Sequence, residues 1–279
     1  MKFCKTVSAI TTILIASSAL ITTNATAENW SNTEVQLQTL GELEVVGTGG
    51  TATTTIVTFQ HAGGWDYGDN FFFIDYSRYD VNEDANFPVE DSSAFYGEWY
   101  SNFSLGAITG NDLSFGPVKD IGVVAGFNFA PEVDSAWLLP GVKFSLDLPG
   151  FAFAQINVTG YIHQGGGSAS SSVFTIVNEE SSYMVDFAWA YPFKLGSTSW
   201  SIEGHLEYID GREQTNNFGM TDLEYWILFQ PQLRLDLGEL LGTNANQLFV
   251  GIEYQYWKNK LGEKGTDDNA AQFLAVWRF

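Results

Sequence analysis

Between Asp69 and Asp75 the chain reads DNFFFID, and between Tyr96 and Asn102 it reads YGEWYSN. Extended backbone sends alternate side chains to opposite faces. Phe71, Phe73 and Asp75 therefore share one face, and Tyr96, Glu98, Tyr100 and Asn102 share another. Ring faces stack and carboxylates and amides hydrogen-bond, so the chemistry on offer is reversible recognition rather than bond making. The same alternation would serve as well to pack rings against one another and narrow an enclosed space.

Other chemistries have less support. The three histidines are His61, His163 and His205. Glu203, His205 and Glu207 fall on one strand face, but steps of two residues space them by about 6.5 Å, too far apart for one metal ion without a second strand. His163 is followed by Gln164 and a glycine run with no paired serine motif, so no nucleophile presents itself for a barrel enzyme. The stretch HQGGGSASSS lacks the lysine and following helix of a phosphate loop and reads as a mobile external loop. No catalytic residue, metal site or cofactor is expected. Arg78 lies on the opposite face from Asp75 and reads as an interfacial or loop-anchoring cation.

The elements that must carry these faces are strands. Helical periodicity is scarce, and period-two alternation recurs in runs of about 10 residues, the pattern of transmembrane β-strands. In SIEGHLEYID, Ile202, Gly204, Leu206 and Tyr208 oppose Ser201, Glu203, His205 and Glu207. In LFVGIEYQYW, Leu248, Val250, Ile252, Tyr254 and Tyr256 oppose Glu253 and Gln255. Twelve such segments are predicted, at 33–46, 53–62, 70–80, 93–105, 119–129, 136–148, 151–164, 182–193, 198–210, 222–237, 247–258 and 269–279. An even number suits an all-β, closed antiparallel transmembrane barrel with both termini on one side. Polar faces then line the lumen, because a carboxylate facing lipid at mid-bilayer costs on the order of a few kcal/mol.

If the first strand runs outward, the external connections are GTGGTA, VNEDANFPVEDS, APEVDS, GGGSASSSVFTIVNEES, DGREQTNNFGMT and NKLGEKGTDDN. Those on the periplasmic side are mostly compact, with one exception: ITGNDLSFGP, residues 108–117, is a long turn on the side where turns are short. Residues 1–27 read as a secretory signal peptide: a basic MKFCK start, an apolar run and a closing ATA. Residues 28–279 then form a single barrel domain. Cys4, the one cysteine, falls in the removed segment with Lys2 and Lys5. The remainder is strongly acidic, the whole chain having 12 basic and 33 acidic residues, which disfavours binding to nucleic acid. The final strand AAQFLAVWRF places Ala271, Phe273, Ala275, Trp277 and Phe279 on one face. It looks like the terminal signature that barrel-assembly machinery reads, and many of the 22 Phe, 12 Tyr and 9 Trp are expected in girdles at the two lipid interfaces.

The run Thr109, Gly110, Asn111, Asp112, Leu113, Ser114, Phe115, Gly116, Pro117 resembles a segment of the nucleoside-specific channel-forming outer-membrane proteins, the Tsx and OmpK family. The strand Asp69, Phe71, Phe73, Asp75 is similar to that family's acid-aromatic-aromatic-acid strand, and HAGGWDYGD falls at its first periplasmic turn. The resemblance implies a monomeric twelve-stranded barrel passing nucleosides and deoxynucleosides by facilitated diffusion, with external loops able to serve as phage or colicin receptors. Base stacking would then use Phe71, Phe73, Tyr96 and Tyr100, with Asp75, Glu98 and Asn102 meeting the sugar. Where family members tend to have Pro-Arg, this chain has Ser101 and Asn102, a neutral amide in place of a lumenal cation. The 109–117 run reads as a family marker with a shaping or assembly role. A surface receptor or adhesin, or a less selective small-solute porin, are the alternative functions.

Overall fold

A computed structural model describes residues 30–47, 49–81, 92–165 and 175–279. The expected signal segment, most of VNEDANFPVEDS and the glycine-serine part of the 165–181 connection lie outside them. The described chain holds fifteen strands: β1 (Trp30–Val45), β2 (Gly50–Trp65), β3 (Gly68–Val81), β4 (Ser92–Ser104), β5 (Val118–Ala130), β6 (Ser135–Leu146), β7 (Phe153–Gly165), β8 (Ile176–Glu179), β9 (Ser182–Leu195), β10 (Thr198–Ile209), β11 (Arg212–Asn216), β12 (Gly219–Leu223), β13 (Trp226–Asp236), β14 (Leu248–Lys258) and β15 (Asp268–Arg278). Twelve of them close into an antiparallel barrel, and β8, β11 and β12 form a separate three-stranded sheet. Among the described residues no helix is long and apolar enough to cross a membrane. Closure comes from β1 pairing with β15, in register from Glu34 opposite Arg278 to Thr39 opposite Phe273. The Phe279 amide extends this seam by donating to the Thr33 carbonyl at 2.9 Å.

The barrel is inverted relative to a water-soluble fold. Its exposed large side chains are apolar, among them Val57, Ile74, Phe95, Trp99, Val123, Leu138, Val158, Leu206, Leu233, Ile252 and Phe273. Among the described residues more polar and charged side chains are buried than apolar ones. A hydrocarbon solvent outside and a hydrogen-bonded interior require that arrangement. One irregularity reverses the alternation. Leu40 has φ 65°, and the β1–β2 register shifts between Gln38 and Gly41. Beyond this bulge Leu43 turns inward and Glu42 outward, where the Thr51 and Thr53 hydroxyls donate to it at 3.2 and 2.9 Å.

Four expectations fail, all at connections or at the strand end beside one. DGREQTNNFGMT, read as a loop, is the hairpin β11–β12, and Ile176–Glu179, read as part of an external connection, pairs with it. The strand expected to begin at 222 begins at Trp226, because Asp222 and Leu223 belong to that hairpin. The connection after β4 is not a plain turn: it opens with the short helix α1 (Leu105–Thr109). Ser104 caps it by accepting from the Ala107 amide, and Gly110 ends it at φ 70°, a left-handed conformation that glycine adopts without strain. Asp112 then accepts from the Ser114 amide at 2.9 Å, and the Ser114 hydroxyl and amide together hold its carboxyl below the ordinary range. Phe115 and Val118 exchange backbone hydrogen bonds, both at 2.9 Å, so Gly116 and Pro117 form a closed two-residue link into β5. Leu113 and Thr109 complete the lobe, the latter donating to the Leu105 carbonyl.

Asp120 of β5 ties this lobe to the barrel by accepting from the Ser104 hydroxyl and, at 3.1 Å, from the Gly106 amide. Asp120→Ala is expected to lower stability by about 1–2 kcal/mol, read from urea unfolding of the detergent-folded barrel. Adding Ser104→Ala to it should cost less than Ser104→Ala alone, since the two changes share the Ser104–Asp120 contact and only the cap on the Ala107 amide is lost in addition.

Candidate functional site

The end of the lumen nearest the termini is held by ion pairs. Arg234 of β13 and Arg278 of β15 converge on Glu34 of β1, with closest contacts of 3.1 Å each. Glu34 and Arg234 are almost wholly buried, so the pair is isolated from water and closes the barrel across the seam strand. On the facing wall Lys143 of β6 reaches Asp69 of β3 at 2.7 Å, and Asn102 donates to the same carboxylate at 3.0 Å. The position where the sequence comparison implied a lost cation is thus served by a cation from another strand. Room for Asn102 comes from Gly122, where a Cβ would stand 2.1 Å from its Oδ1.

Above this floor the four expected aromatics stand together. Ring centroids are 6.1 Å apart for Phe71 and Phe73, 6.4 Å for Phe71 and Tyr100, and 6.0 Å for Phe73 and Tyr96. The cross-strand register explains the cluster: Phe71 lies opposite Tyr100, Phe73 opposite Glu98, and Asp75 opposite Tyr96. Glu98 accepts from both tyrosine hydroxyls, at 2.6 and 2.7 Å, which holds its carboxylate between them. Asp75 accepts from Thr58 at 2.6 Å. All four rings keep part of their surface accessible inside the barrel.

The opposite wall is a polar ladder. Gln36, Gln38, Gln232 and Gln272 bond to one another or to Glu253. His205 Nε2 meets Gln230 at 2.9 Å, and Gln230 in turn donates to Gln255 at 3.0 Å. His205 Nδ1 lies 3.7 Å from Asp186. Asp75, Glu98, Asp186, Glu207 and Glu253 all face inward, and all but Asp75 are buried. The middle of the barrel is therefore a carboxylate-rich belt with an aromatic patch on one side.

Other groups singled out in the sequence stay apart. Among the described residues no three His, Cys, Asp or Glu converge as a metal would require. His61 bonds Thr33 at 2.7 Å near the termini. His163 bonds the Ser135 hydroxyl at 3.0 Å, but that hydroxyl also donates to the Val133 carbonyl, and no carboxylate among the described residues orients the ring. Arg78 pairs with Asp80 at the exposed rim. Sequence reasoning passed over Lys143, Arg234 and Glu34, and placed Glu253 on a lumenal face without giving it a role. The available signal was parity: each shares a strand face with residues that point inward.

A closed antiparallel barrel with an apolar outer surface and a polar, acid-rich interior defines an integral outer-membrane protein of the channel-forming class. A family model for the nucleoside-specific channel-forming protein Tsx matches residues 35–277, and the chain belongs to that family. It is a family of channels, not of enzymes. No curated protein matches the chain. Among solved structures it is similar to a membrane protein from a study of in-meso crystallization (12% identity, 89% of this chain and 83% of that one, TM-score 0.43). It is also similar to a bacterial polysaccharide outer-membrane secretin (10%, 91% and 100%, TM-score 0.40) and to the β domain of the Bordetella autotransporter BrkA (10%, 89% and 98%, TM-score 0.37).

Lys143→Ala is expected to destabilise the barrel by about 2 kcal/mol, because it leaves the Asp69 carboxylate facing a low-dielectric wall with only an amide partner. Adding Asp69→Asn should recover most of that loss in the same urea titration; no recovery would show that the pair is not what Lys143 contributes.

Proposed function

We propose that nucleosides cross this barrel by facilitated diffusion along the wall made by Phe71, Phe73, Tyr96 and Tyr100. The observation that carries the reading is four partly accessible rings beside two carboxylates, Glu98 and Asp75, in a lumen with a packed polar ladder on another wall. A nucleoside has a flat base and a hydroxylated sugar. Rings stack on the first, and carboxylates already held by protein hydroxyls can exchange those bonds for hydroxyls of the second. Such contacts are individually weak, as a conducting site requires. Asn102 is tied to Asp69 below the rings and is a supporting residue of this wall rather than one that meets solute.

In this reading the protein is exported by its N-terminal segment and enters the outer membrane through assembly machinery that reads the strand ending at Phe279. It works as a monomer surrounded by outer-membrane lipid, with the end carrying the termini in the periplasm. The external loops are then the part available to a phage or colicin. Support for the orientation comes from the lengths of the connections: two residues link β2 to β3 and β9 to β10 at the end with the termini, whereas the extra sheet lies at the other end.

Planar-bilayer recordings in KCl, titrated with nucleosides, test the reading. Added nucleoside should reduce the ionic current saturably, and Phe71→Ala or Phe73→Ala should weaken that block by about 5- to 100-fold, the range expected for losing one stacked ring. A current that ignores nucleosides while other small solutes pass equally well would overturn it.

A further inference from the structure

The largest apolar cluster in the lumen does not belong to the barrel alone. Ile176, from the connection between β7 and β9, is buried among Trp137, Leu139, Tyr161, Met184, Ile209 and Trp226, all of which point inward from barrel strands. Beside it Arg212 of β11 lies with its guanidinium 4.7 Å from the Tyr161 ring and 4.5 Å from the Trp226 ring. Its charge is met by Glu179 of β8, and both side chains are almost fully buried. Glu179 also accepts from Trp137 Nε1 and from Gln214, each at 2.8 Å. One carboxylate thus joins two strands of the extra sheet to a barrel wall. A buried ion pair with stacked rings on the cation is costly to break by removing one partner.

The consequence appears in which inward-facing residues remain accessible. Along the arc from β5 to β9, Asn128, Leu139, Asn157, Thr159, Tyr161 and Met184 are all buried. Asn128 has neither amide atom paired, and Thr159 has no partner for its hydroxyl. Accessible lumenal surface lies mainly on Phe71, Phe73, Asp75, Tyr79 and Tyr96 of β3 and β4, and on Glu203, His205, Gln230 and Trp257 across from them; on the β5–β9 arc it is reduced to positions such as Gln155 and Ala188, level with His205.

We propose that the sheet of β8, β11 and β12 is a fixed constriction of the pore, keyed into place by Arg212, that blocks the β5–β9 side and confines passage to the aromatic wall. Size selectivity then resides in an inserted loop structure as well as in the barrel's own circumference. The inference rests on the reading of the lumen as a pore, but its test does not depend on the identity of the solute.

Two measurements decide it. In planar bilayers with KCl, Arg212→Ala should raise single-channel conductance about twofold or more and admit larger neutral polyethylene glycols than the parent channel. The Glu179→Met, Arg212→Met pair, which keeps the packing without the charges, should stay near parental conductance. Unchanged conductance and an unchanged size limit in a folded Arg212→Ala barrel would overturn the proposal. The second measurement needs no change to the sheet: in the mature chain, Phe73→Cys and Asn128→Cys are labelled with a membrane-impermeant thiol reagent. Asn128→Cys should react about tenfold or more slowly, and equal rates would overturn the proposal even if Arg212→Ala fails to fold. A channel indifferent to nucleosides but with this labelling contrast would refute the solute assignment and leave the constriction standing.

Discussion

The β1–β15 seam is the constraint from which the rest of the molecule follows. A strand edge left open in hydrocarbon would expose unpaired amides and carbonyls at several kcal/mol each, so twelve strands must close on themselves before any side chain can act. Once they close, alternation dictates that every second residue meets lipid and the others meet a common interior. Glu34, Arg234 and Arg278 reinforce the seam from inside, where a charged cluster on β1, β13 and β15 bridges the first and last strands. The geometry of the lumen is thus set by backbone hydrogen bonding and then stiffened by side-chain electrostatics.

Within that frame the two halves of the lumen do different work. One half is largely a network of amides and carboxylates bonded to one another. The other offers rings. Burial of polar groups is tolerable only when they are bonded, which accounts for the glutamine ladder around Glu253 and for the tyrosine pair around Glu98. Rings can remain partly uncovered in a wet, narrow space because each also packs on its neighbour. A flat solute would exchange one ring contact for another, a small change in free energy that suits passage more than capture.

The inward sheet adds a second source of shape. A twelve-strand barrel by itself fixes an approximate diameter, but Arg212, Glu179 and Ile176 fill one side of it with material from the connections. Because the filling is held by a buried ion pair and stacked rings, it acts as part of the wall. Family membership and barrel size therefore do not alone define the pore of this chain.

Much of the architecture was legible in the residues. Period-two alternation sufficed for all twelve barrel strands, for the inward placement of Phe71, Phe73, Asp75, Tyr96, Glu98, Tyr100 and Asn102, and for the outward face of the last strand, because in lipid the cost of a misdirected charge leaves little freedom. Local pattern could not reveal which strands come opposite one another across the lumen, so the pairing of Lys143 with Asp69, residues 74 positions apart, was invisible even though each residue's face could be read. Nor could it reveal the bulge at Leu40 or the sheet built from β8, β11 and β12, whose polar, glycine-containing segments carry the composition of loops. Their strand structure depends on burying Arg212 and Glu179 between rings supplied by β6, β7 and β13. Outside the Leu40 bulge, sequence by itself determined which way the barrel side chains face, because facing along a regular strand is a property of that strand in a given solvent. Only the tertiary structure decided what each meets there, because those contacts exist only once the barrel has closed.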